Sequence, residues 1–280
     1  MDLAQRLVEL VGLTSVDELS GGHQSRVFVA AGAAGRRLVV KVLDASLVDR
    51  RRVETRIAIV AELAQLDPSV CRPLPVGGRL VTELRDAGNT GGLVTCYEYA
   101  PGAPLAAADP DDANRMGRAL ARLHESMRRV GPKDLPLVAP LRAVPFDISG
   151  PTQLVHGDFN AGNLRHCDGT IRIFDFDACG YAPCLFDVAN ALYMVLFDTM
   201  TSTMPSYYRS FDEAFVSGYS ATCGRVLDRR ELDGFIDLRV AALESWLDDV
   251  ATAPIGIRTA TPGWRAALRS FVDSHHPRSR

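Results

Sequence analysis

Polar and apolar residues alternate in short runs over the first hundred positions, and the period then lengthens to that of helices. RVFVAAG (26–32) and RRLVVKVLD (36–44) are β-branched runs separated by a Gly/Ala turn, a pattern that predicts an antiparallel hairpin with Lys41 on its second strand. Residues 47–66 follow with Val53, Ile57, Val60 and Ala64 on one stripe, the spacing of a helix. GRLVTEL (78–84) and GGLVTCYEYA (91–100), joined by an Asn/Gly-rich stretch, predict a second hairpin. The first hundred residues are thus expected to be mostly strands with one helix.

Beyond residue 105 the pattern is helical. Residues 109–130 open with acids and a proline, carry Met116, Leu120, Leu123 and Met127 at helical spacing, and stop before Gly131. Pro132, Pro136, Pro140 and Pro145 mark residues 131–151 as a connector expected to run over the surface. QLVHGD (153–158) and TIRIFDFD (170–177) are strand-like, and three or four helices are expected from Phe186 onward. There is no internal repeat and no low-complexity tract.

A chain of 280 residues, 47% hydrophobic and 23% charged, can bury a sizeable core as one two-lobed unit or as two domains. Its net charge of −3 argues against a nucleic-acid partner. Residues 1–19 mix acids with apolar residues, unlike a secretory signal, and the apolar run 189–197 is too short to span a bilayer, so a cytoplasmic protein without a membrane partner is expected. The six cysteines form no CxxC pair, which suggests neither a zinc site nor a disulfide framework. Nothing in the pattern sets an oligomeric state.

The chemistry concentrates in HGDFNAGN (156–163) and in the acids that leave the next strand. Asp158 and Asn163 flank a tight loop containing Gly162, and Asp175 and Asp177 follow IRIF. Oxygen ligands at the ends of two short apolar strands suit a hard divalent cation such as Mg²⁺, which keeps part of its shell for substrate phosphates. That points to nucleotide chemistry. Asp177 is read equally as a ligand and as a solvated carboxylate.

HGDFNAGN resembles the H-G-D-x-x-x-x-N catalytic loop of the aminoglycoside phosphotransferase and choline kinase group, small-molecule kinases with a protein-kinase-like fold. IFDFDACGYAPCLFDVA (173–189) is similar to their metal-binding strand and following helix, residues 19–30 to their phosphate-covering hairpin, and MGRALARLHE (116–125) to the helix ahead of the loop. The resemblance implies a two-lobed α+β fold: residues 1–99 as a nucleotide-binding lobe of antiparallel sheet plus helix, and residues 100–280 as a larger, mainly helical catalytic and acceptor-binding lobe. It places nucleotide in the cleft between them. ATP is the implied donor, and a small-molecule hydroxyl the acceptor.

By the same resemblance, Asp158 accepts or orients the hydroxyl proton, and Asn163 with Asp175 holds Mg²⁺. Lys41 neutralises phosphates, fixed by Glu54 or, second, by Glu62; Gly22 and Ser25 belong to the phosphate-covering turn; Tyr97, Tyr99 and Ala100 lie in the segment that binds adenine through its backbone. Asp187 anchors the catalytic loop. His156 and His124 read as structural histidines.

The acceptor is read from residues 228–250. Ile236, Val240, Leu243 and Leu247 form an apolar stripe, and Asp233, Asp237, Glu244 and Asp248 an adjacent acidic one. With Asp237, Glu244 and Asp248 as its contacts, the acceptor is expected to be a cationic antibiotic, an aminoglycoside or a basic peptide, whose phosphorylation gives resistance. The plain alternative is a solvated acidic face. A metabolic kinase for homoserine, choline or a sugar stays open, as do a protein Ser/Thr kinase, disfavoured by the missing loop lysine, and a non-catalytic nucleotide binder.

Overall fold

The computed structural model describes residues 2–19, 25–32, 35–86, 89–145, 147, 150–201 and 206–275. The chain divides into two compact units, Met1–Ala100 and Pro101–Arg280.

The first unit runs α1 (Leu3–Val11), β1 (Leu13–Leu19), β2 (Arg26–Gly32), β3 (Arg37–Asp44), α2 (Arg50–Leu66), β4 (Pro73–Leu74), β5 (Thr82–Asp86) and β6 (Asn89–Glu98). Its antiparallel sheet has the order β1-β2-β3-β6-β4, with β5 pairing β6. The register Phe28↔Val40↔Cys96 and Ala30↔Leu38 sends one set of alternate residues to the face that packs on Leu7 of α1. The opposite set, Leu43 and Leu93, packs on Val53 and Ile57 of α2.

The helix α1 and strand β1 were not expected from the sequence. Nine residues are too few for periodicity to register, but local chemistry defines α1: Asp2 caps it by accepting from the Gln5 N–H at 2.8 Å, and Gly12, at φ +74°, ends it.

The second unit runs β7 (Ala103–Pro104), α3 (Pro110–Arg129), α4 (Ala139–Ala143), β8 (Gln153–Val155), β9 (Leu164–Cys167), β10 (Thr170–Ile173), β11 (Gly180–Ala182), α5 (Leu185–Thr201), α6 (Tyr208–Cys223), α7 (Arg229–Asp248), α8 (Ile255–Arg258) and α9 (Pro262–Ser274). Helices α3 and α6 meet at their glycines: a Cβ at Gly117 would lie 2.1 Å from the Phe215 carbonyl oxygen, and one at Gly218 2.2 Å from that of Asn114. Tyr193, Phe197, Val240, Leu243, Leu268 and Phe271 form the shared core of α5, α7 and α9.

Two expectations are corrected here. The proline-rich connector is partly internal: Val138 and Leu141 are buried, α4 packs on α7, and the segment bonds to β11 through Val138 N to Tyr181 O and Tyr181 N to Pro136 O, each 3.0 Å. Past Phe186 the described residues hold five helices rather than three or four, because α8 is a single turn that leaves no periodic trace. Strands β8 and β10 do not pair with each other; β8 pairs with β11, and β9 with β10.

Candidate active site

The loop that leaves β8 is held by one buried carboxylate. Asp187, near the start of α5 and fully buried, accepts from His156 N at 2.7 Å and Gly157 N at 2.8 Å, and it contacts His124 Nε2 at 3.1 Å. His124 Nδ1 in turn meets the Tyr219 hydroxyl at 2.8 Å. Asp187 therefore anchors the loop, and His124 is a satisfied core histidine.

Around His156 the bonding fixes the tautomer: Nδ1 accepts from Asp158 N at 3.3 Å, which leaves the proton on Nε2, 3.1 Å from the Phe174 carbonyl. The ring lies 4.4 Å from that of Phe176, so His156 orients the loop. Gly157 has φ +82°, and a Cβ there would sit 2.2 Å from the Ala178 carbonyl oxygen; only glycine fits.

Asp158, Asn163 and Asp175 come together through strand register. Leu164 pairs with Ile173, so Asn163 and Phe174 are the next residues outward from that rung, and Phe174 N donates to Asn163 O at 3.1 Å. Asp168 (φ 50°) and Gly169 (φ 75°) close this hairpin as the Asp-Gly turn that two-residue loops favour. The Asn163 amide donates from Nδ2 to Asp158 O at 2.9 Å and to Asp158 Oδ2 at 3.2 Å, which leaves its Oδ1 pointing elsewhere. Asn190 Nδ2 holds the Phe159 carbonyl at 3.3 Å.

Asp175 adopts φ 68°, ψ 62°, a left-handed conformation that a non-glycine residue keeps only where its surroundings impose it. Burial pushes the Asp158 carboxyl above its ordinary range; the Arg239 charge pulls it back, Asp175 pushes it further up, and the Asn163 bond lowers it.

Among the described residues no cluster of three His, Cys, Asp or Glu could hold a metal ion. The oxygens that would face an ion are Asn163 Oδ1 and the Asp175 carboxylate. Such a short set fits a hard ion that takes its remaining ligands from phosphate and water, as Mg²⁺ does. Asp177 lies half-buried in the 3₁₀ turn Phe176–Ala178.

In the first unit, Lys41 is buried on β3, on the sheet face that packs on α2, with Nζ 5.9 Å from the Tyr97 ring. Glu54 is not its partner. Its carboxylate takes the Arg50 Nε at 2.8 Å and stands nearly half exposed at 45%, because it projects from α2 away from the buried stripe. Glu62 is half-buried on the same helix. Ser25 is half-buried just ahead of β2, and Gly22 lies outside the described residues.

Tyr97 is corrected as an adenine-binding backbone, since it pairs with Val39 and Pro73 inside the sheet. Tyr99 and Ala100 lie past the end of β6, and among the described residues their backbones bond to no other. The Arg37 guanidinium covers the Tyr99 ring at 3.8 Å.

Two of the three expected acceptor residues are engaged by α9. Asp237 is taken by His275 Nε2 at 3.0 Å and Asp248 by Arg269 at 2.6 Å, bonds that fasten α9 to α7; Glu244 is exposed. Two acids of the stripe thus tie one helix to another.

Sequence reasoning missed Arg239. Its charge acts on Asp158 and on Tyr193, yet the signal was legible: an arginine set between Ile236 and Val240 within the apolar face of α7.

The sequence model of the phosphotransferase enzyme family matches residues 15–148 and 138–235. The chain belongs to that family and is a kinase acting on a hydroxyl group. No curated protein sequence matches significantly.

Solved structures share its fold. An amicoumacin kinase in complex with AMP-PNP, Ca²⁺ and amicoumacin is 21% identical, with TM-score 0.72, over 92% of this chain and 86% of its own. A microcompartment-associated aminopropanol kinase is 19% identical, with TM-score 0.72, over 96% and 93%. A thermostable mutant aminoglycoside phosphotransferase in ternary complex with AMP-PNP and hygromycin B is 14% identical, with TM-score 0.58, over 98% and 99%. No helix among the described residues is long and apolar enough to cross a membrane.

Proposed function

We propose that the protein transfers the γ-phosphoryl group of ATP to the hydroxyl of a small molecule, with Asp158 as the base. One observation carries the reading: Asp158 bonds to Asn163, whose backbone bonds to the residue before Asp175, so a proton acceptor and two oxygen ligands share one rigid corner. The acceptor hydroxyl gives its proton to Asp158 as its oxygen bonds to phosphorus, and the bond to the β-phosphate oxygen breaks to release ADP. Mg²⁺, when bound by Asn163 and Asp175, neutralises phosphate charge. In the first unit Lys41 meets the phosphates, Glu62 rather than Glu54 is its carboxylate, and the open backbone of Tyr99 and Ala100 takes adenine. Ser25 keeps its place beside the phosphate-covering turn.

The acceptor we favour is a small metabolic alcohol, as for the aminopropanol kinase of similar fold. A cationic antibiotic, with resistance as the outcome, is the second reading, favoured by likeness to enzymes solved with amicoumacin and hygromycin B. Its structural support is weakened by the engagement of Asp237 and Asp248 with α9.

Mass spectrometry after incubation with Mg-ATP and a panel of small alcohols and cationic antibiotics tests the reading. The expected result is the gain of one phosphoryl group by an alcohol, abolished in Asp158→Asn. Absence of any phosphorylated product would refute it.

A further inference from the structure

Arg239 occupies a position where a charged residue is costly. Its helical neighbours at three, four and seven positions on either side are Leu232, Phe235, Ile236, Ala242, Leu243 and Trp246, all buried. The side chain therefore leaves α7 on its core-facing side. Its guanidinium lies 4.7 Å from the Tyr193 ring centroid and 6.0 Å from that of Phe186, both on α5. Nε is buried without a hydrogen-bond partner, and among the described residues no carboxylate forms an ion pair with this arginine.

Arg239 is half-buried, and an arginine whose Nε is out of water is ordinarily paired, because donors removed from water are expensive to leave unmatched. Elsewhere on the same helix even the exposed Arg229 is paired, forking onto the buried Asp212. Arg239 instead has its aromatic rings; Tyr193 lies one turn along α5 from Asn190, whose amide holds the carbonyl of Phe159 next to Asp158, and the charge of Arg239 favours the ionised form of that carboxylate. A guanidinium held against the Tyr193 ring loses orientational freedom, and its remaining donors can serve what arrives beside the base.

We propose that Arg239 is a specificity-determining residue that receives a carboxylate of the acceptor, so that the substrate is a hydroxy acid whose hydroxyl reaches Asp158 while its carboxylate sits on the guanidinium. This rests on the phosphotransferase reading and narrows its acceptor class. A guanidinium and a carboxylate match as a planar, two-bond pair, which fixes the distance between the anchored group and the reacting hydroxyl.

The test compares L-homoserine, D-glycerate and 4-hydroxybutyrate with their carboxamides, using 1-amino-2-propanol and glycerol 3-phosphate as further probes. Binding is measured by calorimetry on the full chain and on Asp158→Asn with Mg-ADP present; turnover is followed separately by ADP release. At least one carboxylate is expected to bind about 10- to 100-fold more tightly than its amide. Arg239→Gln should erase that difference, and Arg239→Lys should restore part of it.

Equal affinity for every acid and its amide in the unsubstituted protein would overturn the inference, and that comparison needs no variant to fold. Preference for glycerol 3-phosphate or the amino alcohol over the acids would overturn it too. So would an equal fall in kcat for all acceptors in Arg239→Gln at unchanged KM, which would put the guanidinium on the transferred phosphoryl group. Carboxylate-selective binding without ADP release or product from any probe would uphold the role of Arg239 and count instead against the phosphotransferase reading.

Discussion

The loop from His156 to Asn163 and the helix α7 handle buried charge in opposite ways. In the loop, polar groups that touch the core are matched: Asp187 takes two amide N–H groups and His124, and His156 uses both ring nitrogens. On α7, the half-buried Arg239 stands on the core side and, among the described residues, forms no ion pair. The matched region defines geometry, and the unmatched side chain retains binding capacity that folding has not consumed. Asp158 stands between these extremes, with a single side-chain bond, to Asn163, and a carboxyl that burial makes harder to ionise.

That contrast is broken most severely at Asp158. Asp158→Asn is expected to lower kcat by about 10²- to 10⁴-fold, the usual worth of a positioned base. The same substitution should leave the melting temperature unchanged or higher. A carboxyl whose folded pKa is raised contributes its stability below its unfolded pKa and loses it as pH rises, so at neutral pH the neutral amide removes a penalty. Thermal denaturation at pH 7 beside steady-state kinetics checks both halves.

Asp187→Ala should show the reverse profile. It strands two buried N–H groups at about 1–3 kcal/mol each, and a loss of about 3 kcal/mol corresponds to roughly 6–12 °C in melting temperature for a chain of this size. Catalysis then fails because the loop is no longer held.

A smaller effect appears in the pH profile. With Asp158 as the proposed base, kcat/KM should fall on the acid side at a pH above the ordinary aspartate range. Because the Arg239 charge favours the ionised form, Arg239→Gln should move that limb to higher pH. A limb at the ordinary position in both proteins would remove Arg239 from the neighbourhood of the base.

The smallest effects belong to exposed pairs. Glu54→Gln should change turnover less than twofold, since Glu54 serves Arg50, whereas Glu62→Gln should raise the KM for ATP severalfold. Asp248→Asn breaks an exposed pair with Arg269 and should cost under about 1 kcal/mol of stability, with turnover intact.

The sequence was most informative where function is compressed into local strings. HGDFNAGN carried Gly157, Asp158 and Asn163 at fixed spacing, and the β2–β3 hairpin and α3 were written as clean periodic runs. What it did not disclose depends on partners remote in the chain. The acids of α7 looked like a ligand surface because α9, which occupies Asp237 and Asp248, contributes nothing to the local pattern. Glu54 and Glu62 differ only in the side of α2 from which they project, and periodicity ranks burial more readily than it names a partner. Tyr97 and Tyr99 sit two residues apart across a strand end that only the ladder defines. Helix α1 was lost for want of length.

The contact between Gly157 and Ala178 has a practical corollary for protein engineers. Because the backbone at Gly157 leaves no room for a methyl group against the 3₁₀ turn Phe176–Ala178, the two segments fit as lock and wedge. Anyone transplanting this loop onto a new scaffold would have to carry the turn along with it, and a library that randomises either alone will sample mostly sequences in which the other no longer seats.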